Sequence, residues 1–153
     1  RHPPTPDGLL LMFLLDTNLL SAMMGAEPVP EVAAWLSGQP AERLFTASIC
    51  QAEILSGIAI LPAGRRRFDL EGAARAVFLE DFEGRVLPYD AAAAIAYADI
   101  FAARRRAGRS VATADLMIAA IARSRGAAIV TRNTADFEAC GVAIVNPWNQ
   151  RIR

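Results

Sequence analysis

The chain contains no lysine: all sixteen of its cationic side chains are arginine, set against sixteen carboxylates. Without lysine there is no P-loop phosphate cradle and no Schiff base. The phosphoryl-transfer sites of receiver and haloacid-dehalogenase type, which a lysine completes, are missing too. Histidine is almost as scarce. The one present, His2, lies in a Pro-rich stretch at the start, which argues against a two-His ribonuclease centre and against a Ser/His/Asp triad. Cys50 and Cys140 are far apart and fit no CxxC or Cys/His spacing, so neither a zinc site nor a disulfide framework is expected, and a reduced, cytoplasmic setting fits. The formal net charge is zero, so no global basic field advertises nucleic acid. No apolar run reaches the length of a membrane span, and Asp16 interrupts the one stretch, Leu9 to Leu15, that resembles part of a signal peptide. Acid–base chemistry is left to carboxylates or to water on a metal ion.

A length of 153 residues with 54% hydrophobic content suits one domain with a sizeable core. Residues 1–8, RHPPTPDG, read as an unpacked tail or an expression remnant, and residues 9–150 as the single domain. The organising stretch is Leu11 to Asn18, LMFLLDTN, an apolar run that stops at a carboxylate. Such a run predicts a strand buried on both faces, as in parallel sheets covered by helices. Asp16 then stands at its carboxyl end, where open α/β sheets bind ligands. Alternatively, Asp16 caps the helix that follows.

Strand and helix then alternate. Asn18 to Met24 and Pro30 to Ser37 read as short helices, Leu44 to Ala47 as a strand. Ser48 and Gln51 form a capping-box pattern at the start of the helix SICQAEILSGIAIL, which Pro62 ends. Glu53 in that helix is flanked by Ile49, Cys50, Ile54, Leu55 and Ile58. A carboxylate on a helix apolar all round is costly to bury unless an arginine pairs with it or a metal binds it. A helix from Arg65 to about Phe82 begins with three arginines, a poor match to the positive end of a helix dipole. Arg85 to Pro88 is a third strand. Asp90 caps an Ala-rich helix that runs through Arg106 and stops at Gly108, and its final RRR suits the negative helix end or a phosphate. Asp115 opens a buried helix, ADLMIAAIARSRG. Ala127 to Thr131 is a β-branched strand, Asp136 lies in the first turn of a short helix, and Val142 to Val145 is the last strand. The pattern predicts an α/β fold with a five-stranded parallel sheet and helices on both faces. In the order 3-2-1-4-5, Asp16 and Asp136 come side by side.

LLDTN at Asp16, AEILSGI at Glu53, ADLMIAAIA at Asp115 and TRNTADF at Asp136 resemble the four acidic blocks of PIN-domain endoribonucleases, specifically the VapC and FitB-like toxins of toxin–antitoxin pairs. LPAGRRR, RVLPYD, the RRRAGR run and the terminal NPW extend the likeness over nearly everything after the tail. The resemblance implies a three-layer PIN-like fold and cleavage of RNA with Mg²⁺ or Mn²⁺. It also implies a homodimer, inhibition by a cognate antitoxin, and contact with DNA only through that antitoxin. Asp16, Glu53, Asp115 and Asp136 are then the metal ligands and catalytic acids, directly or through water, and the expected products carry a 5′-phosphate and a 3′-hydroxyl. Oxygen-only donors suit Mg²⁺, which keeps several waters and needs few carboxylates. Asn18, Thr131 and Asn133 are candidates for orienting the acids or touching substrate. Two other readings stand beside this one. A haloacid-dehalogenase-type phosphatase needs a second Asp where Asn18 stands, and a PIN-like subunit of a regulatory DNA-binding complex needs no turnover at all.

Overall fold

The computed structural model describes residues 11–25, 27–110 and 112–149; the proposed tail at residues 1–8 lies outside them. Five parallel strands form one sheet in the order β3-β2-β1-β4-β5, as the alternation of elements predicts. They are β1 (Phe13–Leu15), β2 (Leu44–Ala47), β3 (Val86–Leu87), β4 (Ala128–Val130) and β5 (Ile144–Val145). β1 and β4 are buried at every position. This is why their sequences are continuous apolar runs and do not alternate. They pair in register, Phe13 with Ala128 and Leu15 with Val130. The backbone N–H of Asp16 continues the ladder to the Val130 carbonyl at 2.9 Å, so the first residue past β1 is fixed to the end of β4.

Six α-helices connect and cover the strands: α1 (Thr17–Met24), α2 (Pro30–Ser37), α3 (Ser48–Ala59), α4 (Arg65–Ala76), α5 (Ala91–Arg106) and α6 (Thr113–Arg125). Leu19 and Leu20 of α1, Ile100 of α5, and Ile118 and Ile121 of α6 are fully buried with Leu14, Leu15 and Ile129 of the sheet. α6 ends at Gly126, whose φ of 68° is left-handed and whose N–H reaches back to the carbonyls of Ala122 and Arg123. Glycine takes that conformation without the penalty a Cβ would bring.

Two local expectations differ from the structure. The cap of α3 is Ala47, without a side-chain hydrogen bond, and Ser48 is already helical. Ala47 is held extended by its pairing with Leu87, so the strand passes into the helix with no loop residue left for a capping serine. The helix from Arg65 stops at Ala76, and Val77 to Asp81 continue as a wider π turn that buries Val77 and Phe78. The mismatched arginines at its start are answered within the helix, where Arg65 faces Asp69 at 3.9 Å and Arg67 faces Glu71 at 3.2 Å, one turn on. Among the described residues no helix is long and apolar enough to cross a membrane.

Candidate active site

Asp16 follows β1 at the centre of the sheet and is only 4% exposed. Its extended backbone makes it the N-cap of α1, with Oδ1 accepting from the Thr17 N–H at 2.8 Å. Capping occupies one oxygen only. Oδ2 accepts from the Thr131 hydroxyl at 2.7 Å and from Asn18 Nδ2 at 3.3 Å. Asn18 also donates to Thr131 Oγ1 at 3.2 Å and accepts from the Arg132 N–H at 3.1 Å, while the Asn133 N–H bonds Thr131 Oγ1 at 3.0 Å. The carboxylate is thus oriented from both neighbouring elements, α1 and the turn after β4. Burial raises the pKa of Asp16; the bonds from Thr131 and Thr17 lower it, and the charges of Glu53 and Asp136 raise it again.

Glu53 is exposed, contrary to the expectation of a carboxylate buried on an all-apolar helix. Only Cys50, Ile54 and Ile58 of α3 are buried, a single stripe at four-residue spacing, and Leu55 remains 45% exposed. Glu53 projects beside the acidic end of the sheet, where Thr17 Oγ1 donates to its Oε1 at 2.5 Å. Among the described residues no arginine pairs with it. Asp115, in the first turn of α6, has its pKa pushed up to about 6, first by burial and then by the charges of Asp16, Asp136 and Glu53. Asp16, Glu53 and Asp115 line one open cleft of ≈ 580 Å³ together with Asn18 and Asn133. Asp136 sits in the 3₁₀ turn Thr134–Phe137 and is not among the residues lining that cleft, although its charge reaches both Asp16 and Asp115.

The donor set is all oxygen and, among the described residues, has no histidine or arginine counter-charge bonded to it, which fits a hard divalent cation. Among the described residues no three acidic, histidine or cysteine side chains close up around one point. The acids wall a cleft where a closed cage would leave no room for waters or substrate. Cys50 adjoins the site and is no nucleophile: burial, then the charge of Asp16, push its thiol up to about 12.

The remaining walls are residues that the sequence did not single out. Arg132 and Trp148 line the cleft, with the guanidinium 5.4 Å above the indole ring. Thr17, which holds Glu53, also lines it. The neighbouring TRN and NPW runs were legible, but their meeting depends on β4 and β5 ending side by side.

A family model for the PIN domain matches residues 13–141. The chain belongs to the PIN-domain family. Its PIN domain is 41% identical over 137 residues to the VapC ribonuclease Y4jK of Sinorhizobium fredii, a match that covers 90% of this chain and 98% of the relative. It is 42% identical over 137 residues to the plasmid stability protein StbB of Pseudomonas syringae pv. tomato, covering 90% and 99%. Among solved structures it resembles that of FitAB bound to a DNA fragment, with a TM-score of 0.85 and 35% identity over 92% of this chain and 99% of the other. The four acids fall inside the same PIN-domain match: Asp16 after β1, Glu53 on α3, Asp115 on α6 and Asp136 after β4.

Proposed function

We propose that this PIN domain is a Mg²⁺- or Mn²⁺-dependent endoribonuclease, the toxin of a toxin–antitoxin pair, hydrolysing RNA to 5′-phosphate and 3′-hydroxyl ends. The observation that carries the reading is the convergence of Asp16, Glu53 and Asp115 on one cleft, with Asp136 close enough to act on two of them. The four acids are the proposed metal ligands, directly or through water. A bound divalent ion supplies Lewis-acid stabilisation of phosphoryl oxygens and a more acidic water. Thr131 and Asn18 hold Asp16 in one orientation, and Thr17 holds Glu53. Burial and the neighbouring carboxylates raise the pKa of Asp115 in the metal-free protein, and a divalent cation held among the four acids favours its charged form. Arg132, parked over Trp148 at the rim, presents a guanidinium suited to bidentate phosphate contact.

The proposed partners are a cognate antitoxin and a second copy of the chain, with DNA reached only through the antitoxin. Ile60 at the end of α3, Phe68 on α4 and Leu79 in the π turn after it are 85%, 71% and 64% exposed, an apolar content that suits a protein partner. The reading is tested with purified chain, free of antitoxin, on total RNA. Cleavage should require Mg²⁺ or Mn²⁺, stop in EDTA, and disappear in Asp16→Asn and Asp115→Asn. Undiminished cleavage in EDTA overturns the metal mechanism. No cleavage by the folded wild type with either metal favours the regulatory-subunit reading.

A further inference from the structure

The first turn of α6 borders two cavities. Asp115 faces the acidic cleft, while Thr113 lines a separate cavity of ≈ 340 Å³ whose other walls include Tyr97, Phe101, Arg104 and Arg105 of α5, and Arg109 beyond it. Arg104 is only 5% exposed. Both of its hydrogen bonds leave from Nη1, to the Glu138 carbonyl at 2.5 Å and to Cys140 Sγ at 3.7 Å, and its buried Nε has no partner. Among the described residues no carboxylate forms an ion pair with it. A guanidinium taken out of water without a counter-charge is costly. Its neighbours add to the positive charge: Arg105 is exposed, and Arg109 meets Glu138 only at 3.8 Å, with both side chains largely in solvent. The α6 terminus contributes as well, because its N-cap, Ala112, has no side-chain oxygen to occupy the free backbone N–H groups. Beside the arginines Tyr97 and Phe101 stack at 6.2 Å with their rings 10° apart, and Phe101 is 46% exposed.

We propose that this cavity is a second RNA subsite, in which Arg105 and Arg109 hold a backbone phosphodiester over the buried charge of Arg104. The Tyr97 and Phe101 wall receives an adjacent base. Arginine forks match phosphate oxygens, and bases stack on aromatic walls in a sequence-tolerant way. The subsite extends the ribonuclease reading and rests on it: a strand lying in the acidic cleft continues past the first turn of α6 into the arginine cavity. A free nucleotide or inorganic phosphate carries the same charge, so the source of the phosphate has to be distinguished by experiment.

The test is fluorescence anisotropy with a labelled single-stranded RNA in EDTA, where no cleavage occurs, on wild type and on R105Q/R109Q. Both side chains are exposed and lie outside the acid site, and melting curves verify that the fold is kept. The double variant should bind at least ~10-fold more weakly, and the slope of log K against log salt should shrink by about 0.7, the value for the one single-strand phosphate that is no longer neutralised. R65Q/R75Q, which removes the same charge from α4, should change both much less. Equal losses in the two variants, or none in R105Q/R109Q, overturn the subsite. So does a double variant that loses inorganic phosphate binding while RNA affinity stays intact, since that assigns the cavity to a free phosphate compound. Cleavage by the wild type in Mg²⁺ is followed in parallel. RNA bound through Arg105 and Arg109 but never cut overturns the ribonuclease reading alone, and RNA cut by a wild type whose affinity ignores these arginines overturns the subsite alone.

Discussion

Two side chains at the centre of the site carry most of what can be measured one residue at a time. The Thr131 hydroxyl is a buried donor to Asp16 Oδ2. Replacing it in Thr131→Val leaves the shape and removes the bond, so stability should fall by about 1–3 kcal/mol. Divalent affinity should fall on the order of 10–100-fold if Asp16 is the metal ligand proposed above, because its orienting partner is gone. Calorimetric titration with Mn²⁺ beside a melting curve checks both; a variant that melts lower yet binds metal as well as wild type makes Thr131 merely structural. Asp115 gives a pH signature. Its value of about 6 in the folded, metal-free protein lies above the ordinary 3.8, so the folded state holds this proton more tightly than the unfolded chain does. The stability linked to this group is therefore fully present below pH about 4 and lost as the pH rises through about 6. Asp115 is half-buried, and solvent screening keeps the loss to roughly 1 kcal/mol or less. In EDTA, Asp115→Asn should flatten the melting temperature between pH 4 and 7 relative to wild type, and parallel profiles would mean that Asp115 does not meet the other acids.

Elements differ in how openly they declared themselves. β1 and β4 were legible because burial on both faces demands unbroken apolar runs; Asp16 followed from the end of β1, and Asp115 from the start of the apolar run that makes α6. α5 was legible at both ends: the Asp90 carboxylate accepts from the Ala93 N–H at 3.0 Å, and Gly108 is left-handed just past its close. Asp90→Ala should cost about 1 kcal/mol through the missing cap, a fall of roughly 2–8 °C in melting temperature, with little change in metal affinity. Differential scanning calorimetry with and without Mg²⁺ separates that outcome from damage to the acid site. The α3 helix misled, because Leu55 and Ala59 are apolar yet exposed, and only the stripe Cys50, Ile54, Ile58 faces inward. The exposure of Glu53 depends on that choice of face, which tertiary packing makes and periodicity does not. The place of Trp148 opposite Arg132 was equally closed to sequence, since it arises from the ends of β4 and β5 lying side by side.

The whole molecule is arranged so that its first strand lies in the middle. β1 has β2 on one side and β4 on the other, and the bond that fastens Asp16 comes from Thr131, 115 residues further along the chain. That arrangement sets a clock. Translation adds about 5–20 residues per second, so roughly 6–23 s pass between the synthesis of Asp16 and that of its anchor. Asp16, Glu53 and Asp115 all exist for part of that interval, yet the strand that completes the central sheet is not made. A chain truncated at Gly126 should show no cooperative melting and no stabilisation by Mg²⁺, whereas the full-length protein should melt cooperatively and be stabilised by Mg²⁺; a metal response in the truncated chain would mean that β4 is dispensable. A protein whose activity endangers the cell that makes it thus remains harmless while it is being made, and an inhibitor produced alongside it has those seconds in which to arrive first.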